Sequence, residues 1–211
     1  MAVTTLNSDL HVVGNLTLSG DLPTYPRSRL EQEGSMVQQL PITEWSVFDA
    51  FATRLAVTAL SADDLSLVGG TFGTDAPFIS TLDVKAAGCT KKARILFQLP
   101  CEYVTGASLF IRAFAGMKTT VSDGACTIDF SAYKTGITTT ATVVDAGDLV
   151  TTAATSIKFL SWANYDFAIN PAGLVAGDWL DIQLTIAVTD AATPTAVIAG
   201  CRPSICVTIK G

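Results

Sequence analysis

The stretch from Asp178 to Val188 alternates between apolar and other residues almost without a break. Its apolar positions are Leu180, Ile182, Leu184, Ile186 and Val188. The positions between them are Trp179, Asp181, Gln183, Thr185 and Ala187. Successive side chains of a strand point to opposite faces, so a strand collects the apolar set on one face, whereas a helix would scatter it. The pattern predicts a sheet strand with one buried face.

The same two-residue period recurs at residues 93–99, 126–133 and 205–209. Turn-forming residues separate these segments, and no long amphipathic helical pattern competes with them. About eight strands at such intervals are typical of a two-sheet sandwich. We therefore predict an all-β chain, folded as an antiparallel two-sheet β-sandwich of the jelly-roll type, with an extended N-terminal β arm.

The predicted arm covers residues 1–22, which contain two copies of a short unit that ends in glycine, at residues 9–14 and 15–20. Its alternating apolar residues are Leu10, Val12, Leu16 and Leu18. Two such short strands cannot bury their own apolar side, so the arm is predicted to lie on another chain or on a neighbouring sheet edge. The alternative is a strand pair folded back on its own domain.

Two further regions follow the arm. Residues 23–40 are polar, rich in proline and charge, and without clear periodicity, so they are predicted to form a linker. The sandwich body is predicted to span residues 41–211 and to begin with a strand at residues 41–47.

Composition limits the classes of partner. Hydrophobic residues make up 49% of the chain and charged residues only 15%, which suggests that another molecule covers part of the surface. A surface rich in threonine, alanine and serine would explain the same figures. The net charge of -6 argues against nucleic acid as a partner, because neutralising phosphates needs a basic surface.

Nothing in the sequence predicts secretion or a membrane partner. The N-terminal residues lack a signal-peptide pattern, and no apolar run reaches the roughly 18 residues that a membrane-spanning helix needs. The cysteines are odd in number and include no CxxC pair, which favours free thiols in a reducing cytoplasm over a disulfide framework or a zinc site. They are Cys89, Cys101, Cys126, Cys201 and Cys206. A bridge between Cys201 and Cys206 is the alternative.

Candidate catalytic residues are few. The only histidine, His11, lies in the predicted arm, which argues against histidine-dependent nucleophilic catalysis and histidine-ligated metals. Carboxylates that could pair as in a glycosidase are Asp63, Asp64, Asp75, Asp129, Asp166 and Asp181, and of these the clustered loop residues Asp63, Asp64 and Asp75 could bind calcium. Most are predicted in turns or on outer strand faces, where solvation explains them. We expect no enzymatic activity, no metal and no cofactor.

Aromatic residues give the most specific signal. Trp162, Asn164 and Asp166 share one face of a strand predicted at residues 159–169, and Trp179 lies on the outer face of the following strand. Tryptophan beside amides and carboxylates is typical of a sugar-stacking platform and also of a protein interface. A third alternative is that a loop of the same chain covers both rings.

Two motifs carry a family resemblance. The sequence DLHVVGNLTLSG at residues 9–20 resembles the strand-and-glycine leaders of tailed-bacteriophage virion proteins. The sequence FAINPAGLVAGD at residues 167–178, which leads into the long strand, is similar to the jelly-roll head decoration, or cement, proteins of these phages.

The resemblance implies a structural virion protein made in the host cytoplasm. It implies a homotrimer on the outside of an icosahedral capsid, which binds the major capsid protein and neighbouring copies of itself and stabilises the shell against internal DNA pressure. The alternative is a tail-fibre or carbohydrate-binding module that recognises host glycans through the face with Trp162 and Trp179.

Overall fold

The computed structural model describes residues 33–59, 61–69, 71–136 and 147–210. The predicted arm, with Leu10, Val12, Leu16 and Leu18, lies outside the described residues. The first part of the predicted linker also lies outside them.

The described residues form ten strands and a short 3-10 turn at Ile42–Glu44. The strands are β1 (Glu33–Gln39), β2 (Ser66–Val68), β3 (Phe78–Ser80), β4 (Gly88–Gln98), β5 (Leu109–Lys118), β6 (Cys126–Thr135), β7 (Thr155–Ser156), β8 (Ala163–Ile169), β9 (Trp179–Thr189) and β10 (Ile198–Lys210). Within these ranges no helix has the length and apolar character to cross a membrane.

The strands build two antiparallel sheets. The six-stranded sheet has the order β2-β3-β10-β5-β8, with β1 also paired to β10, and the four-stranded sheet has the order β4-β9-β6-β7. From β3 to β10 the chain changes sheet at every connection except that from β6 to β7, which gives β3-β10-β5-β8 opposite β4-β9-β6-β7. This is the strand order of a jelly roll, and it confirms the predicted fold class.

Strand β9 lies inside the four-stranded sheet, between β4 and β6. Leu180, Ile182, Leu184 and Ile186 are each 0% exposed, and Val188 is 2% exposed. The predicted register of this strand is therefore confirmed. Inward side chains of the facing sheet meet this layer, and the rings of Phe130 and Phe167 pack with centroids 4.9 Å apart.

Part of the predicted linker belongs to the sandwich. Glu33–Gln39 forms β1, which pairs with β10 from Glu33 opposite Lys210 to Gln39 opposite Ser204. Leu40, which follows β1, is 2% exposed. The linker prediction was wrong here because β1 is held by backbone pairing with β10. Its mostly exposed side chains give no alternating apolar pattern.

The predicted strand at residues 41–47 was also wrong, since Ile42–Glu44 forms a 3-10 turn. Ser46 instead joins the free edge of β4, where its nitrogen and oxygen bond the backbone of Arg94 at 2.8 and 3.0 Å. Further along, Leu65 donates to the carbonyl of Lys92 at 3.0 Å. This irregular segment therefore closes the β4 edge.

Carboxylates tie together the loops at one end of the sandwich. Asp190 accepts the backbone N–H groups of Ala86 at 2.6 Å and Asp123 at 3.0 Å. Asp123 in turn accepts those of Ala191 and Ala192 at 2.9 and 2.8 Å. Burial raises the pKa of the Asp190 carboxyl, but the hydrogen bonds that it accepts outweigh burial and hold the pKa below its usual value.

All five cysteines are free thiols in the structure. Cys201 and Cys206 lie five positions apart on β10, which corresponds to about 16 Å along an extended strand and is too far for a disulfide. Burial raises the pKa of Cys126 to about 12, so this thiol stays protonated at neutral pH.

Candidate functional site

A pair of glycines shapes the outer face of the six-stranded sheet. Gly116 of β5 lies directly opposite Gly200 of β10. A Cβ atom at position 116 would lie 2.7 Å from the Trp162 ring, and one at position 200 would lie 2.6 Å from the carbonyl oxygen of Ile79. The two glycines thus leave a flat notch into which large rings can pack directly on the backbone.

Phe78 and Trp162 fill this notch, and Phe114 borders it. The rings of Phe78 and Trp162 meet edge to face with centroids 5.3 Å apart, and Phe114 tilts against Trp162 at 5.6 Å. The indole Nε1 of Trp162 donates to the carbonyl of Met117 at 3.1 Å, which fixes the ring. We call the space beside these three rings the aromatic cleft.

The aromatic cleft has a volume of about 290 Å³ and a mixed polar rim. Arg202 lies on the rim and donates from Nε to the carbonyl of Pro77 at 2.7 Å. Lys118 and Asp75, on the other part of the rim, are 3.8 Å apart. Phe114 is 41% exposed, so one wall of the cleft already offers a ring face to a ligand. An apolar floor with a few oriented polar groups is the usual composition of a binding site.

The sequence correctly placed Trp162, Asn164 and Asp166 on one side of the chain, although the strand begins only at Ala163. Asn164 is exposed and lies opposite Phe114. Asp166 accepts two hydrogen bonds from Arg112, one from Nε and one from a terminal guanidinium nitrogen, each 2.7 Å long. The hydrogen bonds and charge of Asp166 raise the pKa of Arg112. Asp166 is therefore engaged by its own chain.

Trp179 does not belong to this face, and the predicted shared surface is wrong in that respect. Trp179 is the first residue of β9, in the four-stranded sheet, where it lies between Gln98 and Thr135. Because β8 belongs to the six-stranded sheet, the outward side chains of β8 and β9 point away from each other on opposite sides of the sandwich. The prediction failed because the chain passes from one sheet to the other between β8 and β9.

The outer face of the four-stranded sheet is occupied differently. Arg94 binds Asp181 with two hydrogen bonds, of which the Nε to Oδ1 distance is 2.7 Å. The segment after Ser46 then covers the cations: Phe48 lies 4.6 Å from the Lys92 ammonium, and Phe51 lies 5.2 Å from the Arg94 guanidinium. The charged groups of Lys92, Arg94 and Asp181 are therefore engaged by contacts within the chain.

The remaining candidate carboxylates each have contacts of their own within the described ranges. Among those residues, no three histidine, cysteine, aspartate or glutamate side chains come together as metal ligands. Asp64 accepts the N–H of Ser61 at 2.8 Å, and Asp75 lies near Lys118. Burial raises the pKa of Asp129, with the nearby Asp148 charge acting in the same direction.

Sequence reasoning missed most of the aromatic cleft. Phe78, Phe114 and Arg202 come from β3, β5 and β10, which are far apart in sequence. The glycines at positions 116 and 200 were the available signal, since glycine in a strand interior often marks the close approach of another group, but neither position fell within a predicted strand. Their pairing, however, depends on the strand order.

Comparisons with known proteins identify no family. No protein-family model matches the sequence, and no curated protein matches it. Among solved structures, the xylan-binding CBM22-1 domain of Xyn10C from Paenibacillus barcinonensis is similar, with a TM-score of 0.39 and 12% identity over 83% of this chain and 94% of that chain.

Two other solved structures are similar at lower scores. The arabinosyltransferase EmbB of Mycobacterium smegmatis has a TM-score of 0.33 and 14% identity, over 68% of this chain and 14% of that chain. The structure of infectious bursal disease virus, Gx strain, has a TM-score of 0.30 and 12% identity, over 92% of this chain and 54% of that chain. With all TM-scores below 0.5, no functional conclusion is drawn from these similarities.

Proposed function

We propose that the protein is a structural virion protein, a bacteriophage capsid decoration protein that binds the outer surface of the major capsid protein shell and stabilises it. One observation carries the proposal: the outer face of the six-stranded sheet contains an open cleft lined by three packed aromatic rings beside an arginine, and one of these rings, Phe114, is 41% exposed. Tryptophan and arginine are the side chains that most often anchor protein interfaces. A capsid protein segment that fills the cleft would remove this apolar surface from water.

Other features support the same function. Only 15% of the residues are charged, and a low charge content is typical of surfaces that are buried in protein interfaces. In this proposal the arm, through Leu10, Val12, Leu16 and Leu18, adds contacts to neighbouring copies in a homotrimer at the capsid surface. Neither nucleic acid nor a membrane is a proposed partner, and no catalytic role is proposed.

The test is binding of the full chain to purified, undecorated capsid shells of the source virus, measured by cosedimentation. Trp162→Ala should weaken binding by at least about tenfold, or about 1.4 kcal/mol, because it removes the ring at the centre of the cleft. Trp179→Ala is the matched control, since it removes an exposed tryptophan from the opposite face. Equal binding by the native chain and Trp162→Ala would contradict the proposal.

A second candidate function is supported by the same cleft. Phe114 and the half-buried Trp162 offer ring surface, and Arg202 lies beside them as a hydrogen-bond donor. Flat aromatic surface bordered by polar groups is also typical of sugar-binding sites. The alternative is therefore a tail-fibre or carbohydrate-binding module for host glycans.

A glycan array separates the two functions. Binding of a defined glycan that is lost in Trp162→Ala and retained in Trp179→Ala would favour the carbohydrate-binding module. Shell binding without glycan binding would favour the decoration protein.

A further inference from the structure

Among the described residues, strand β1 is an edge of the six-stranded sheet with one strand partner, β10. It pairs with β10 along seven consecutive positions, from Glu33 to Gln39, without a bulge in the register. Among the described residues, no other strand pairs with β1. Six of its seven residues are exposed, so neither face of the strand is covered to any large extent. An antiparallel strand directs half of its backbone hydrogen-bonding groups away from its one partner, and in β1 these groups have no strand partner in the part of the chain that the structure describes.

Two other edges of the sandwich, at β4 and β8, are covered. Ser46 and Leu65 bond the free edge of β4, as described above. At the outer edge of β8, Thr151 donates to the carbonyl of Ala168 at 2.9 Å, and Ala168 donates to Thr152 Oγ1 at 2.9 Å. Natural sheets protect their edges in this way, or with lysine, proline and bulges.

Strand β1 carries none of these protections. Its sequence, EGSMVQQ, contains no lysine and no proline, and its single charge, Glu33, lies at one end opposite Lys210 of β10. An uncharged, regular and exposed edge strand is a template for pairing with another strand.

We propose that β1 is a self-association edge, at which the β1 strands of two copies pair antiparallel about a two-fold axis at Met36. In this register Met36 faces Met36 of the second copy, and Ser35 faces Val37. Glu33 faces Gln39, so the two Glu33 carboxylates lie at opposite ends, about 20 Å apart at 3.4 Å per residue. The strand is therefore complementary to itself over its full length, without opposed like charges.

The pairing would extend each sheet without changing it. The path β8-β5-β10-β1 would continue into β1-β10-β5-β8 of the second copy, so that the two six-stranded sheets become one sheet of twelve strands. Val37, which is 54% exposed, would gain a cross-strand neighbour. The aromatic cleft takes no part in this contact, so self-association can hold or fail independently of capsid binding.

The test uses full-length charge-pair variants and sedimentation velocity. Ser35→Lys with Val37→Lys would place two lysine pairs in opposition across the two-fold axis, and Ser35→Glu with Val37→Glu would do the same with carboxylates. Each variant alone should raise the dissociation constant of the β1 contact by at least tenfold, about 1.4 kcal/mol. An equimolar mixture of the two variants should recover association, because lysine then faces glutamate.

Disulfide crosslinking identifies the β1 contact specifically, even if the protein also associates through another surface. In a Cys101→Ser background, which removes the exposed native thiol, Met36→Cys should form a disulfide-linked dimer under mild oxidation. Gln38→Cys alone should not, but it should crosslink when mixed with Gly34→Cys, because residues 38 and 34 face each other. A monomeric native chain at high concentration would overturn the proposal. So would association that neither charge pair weakens, or crosslinking that does not follow this register.

Discussion

The two outer faces of the sandwich are built from the same alternation of side chains along the strands, but they differ in how far the chain's own segments cover them. Each carries an Arg-Asp pair between neighbouring strands, but the Asp181 side chain on the four-stranded sheet is 11% exposed and the Asp166 side chain on the six-stranded sheet is 46% exposed. On the four-stranded sheet Phe48 and Phe51 lie over the cations, whereas on the six-stranded sheet the aromatic cleft stays open. The capacity to bind a partner thus depends on which face the chain's own connections leave uncovered.

The comparison requires that the cores beneath both faces be equivalent, and large-to-small changes test this first. Ile182→Ala, under the four-stranded sheet, and Ile111→Ala, under the six-stranded sheet, remove fully buried side chains. Each should lower the free energy of unfolding by about 2 to 5 kcal/mol, measured by urea denaturation. A loss below about 0.5 kcal/mol for either variant would mean that the residue lies at the surface and that the register is wrong.

Glycine substitutions test the difference between the faces more directly. Gly200→Ala should destabilise the protein by about 1 to 3 kcal/mol, because its Cβ would collide with the Phe78 ring and the Ile79 backbone. Gly88→Ala, in the four-stranded sheet, is the control, since its Cβ would lie 3.4 Å from the Val188 oxygen. We expect the control to change the free energy of unfolding by less than about 1 kcal/mol. Equal effects would show that the notch does not constrain the sheet.

The two Arg-Asp pairs should respond differently to loss of charge. Asp181→Asn should destabilise the protein by about 1 to 2 kcal/mol, because it removes the charge of a carboxylate that is only 11% exposed and that accepts two hydrogen bonds from Arg94. Asp166→Asn should change the melting temperature little, since exposed ion pairs contribute little to stability. If thermal melting ranks the two variants in the opposite order, burial is not what distinguishes the two faces.

Asp129, on the outer face of the four-stranded sheet, should give the smallest effect. Because burial raises the pKa of Asp129, its ionised form lowers stability at neutral pH, and this penalty is relieved as the pH falls through the raised pKa. Asp129→Asn should therefore be slightly more stable than the native chain at pH 7, and the difference should shrink as the pH falls through the raised pKa and vanish at about pH 3, below the unfolded-state pKa of about 3.9. A difference that stays constant down to pH 3 would contradict this.

The features that could be predicted from the sequence are those that depend on the two-residue alternation of apolar side chains along a strand. The burial of Leu180, Ile182, Leu184 and Ile186 follows from alternation alone, and so does the sandwich class. Strand β1 was missed because its seven residues bury almost nothing, so the hydrophobic pattern contains no trace of it.

The candidate site was predictable only within one strand. Trp162, Asn164 and Asp166 were placed on one side correctly because their relation is local. Trp179 was assigned to the same surface because strand order cannot be read from alternation. Phe78 and Arg202 were not found, since their approach to Trp162 depends on non-local pairing of β3, β10 and β5.

The position of β10 in the sheet order also affects the folding pathway. Strand β10 pairs with β1, β3 and β5, and its contact with β1 joins Glu33 to Lys210, which are 177 residues apart (210 minus 33). Closing such long loops is entropically unfavourable until the strands meet, so chains rich in these contacts fold slowly. During synthesis, β1 and β3 must wait for residues 198–210 before their edges are paired. The nascent chain therefore exposes unpaired strands for most of its translation. Aggregation is most favoured during this period, because unpaired strand edges can pair with other chains.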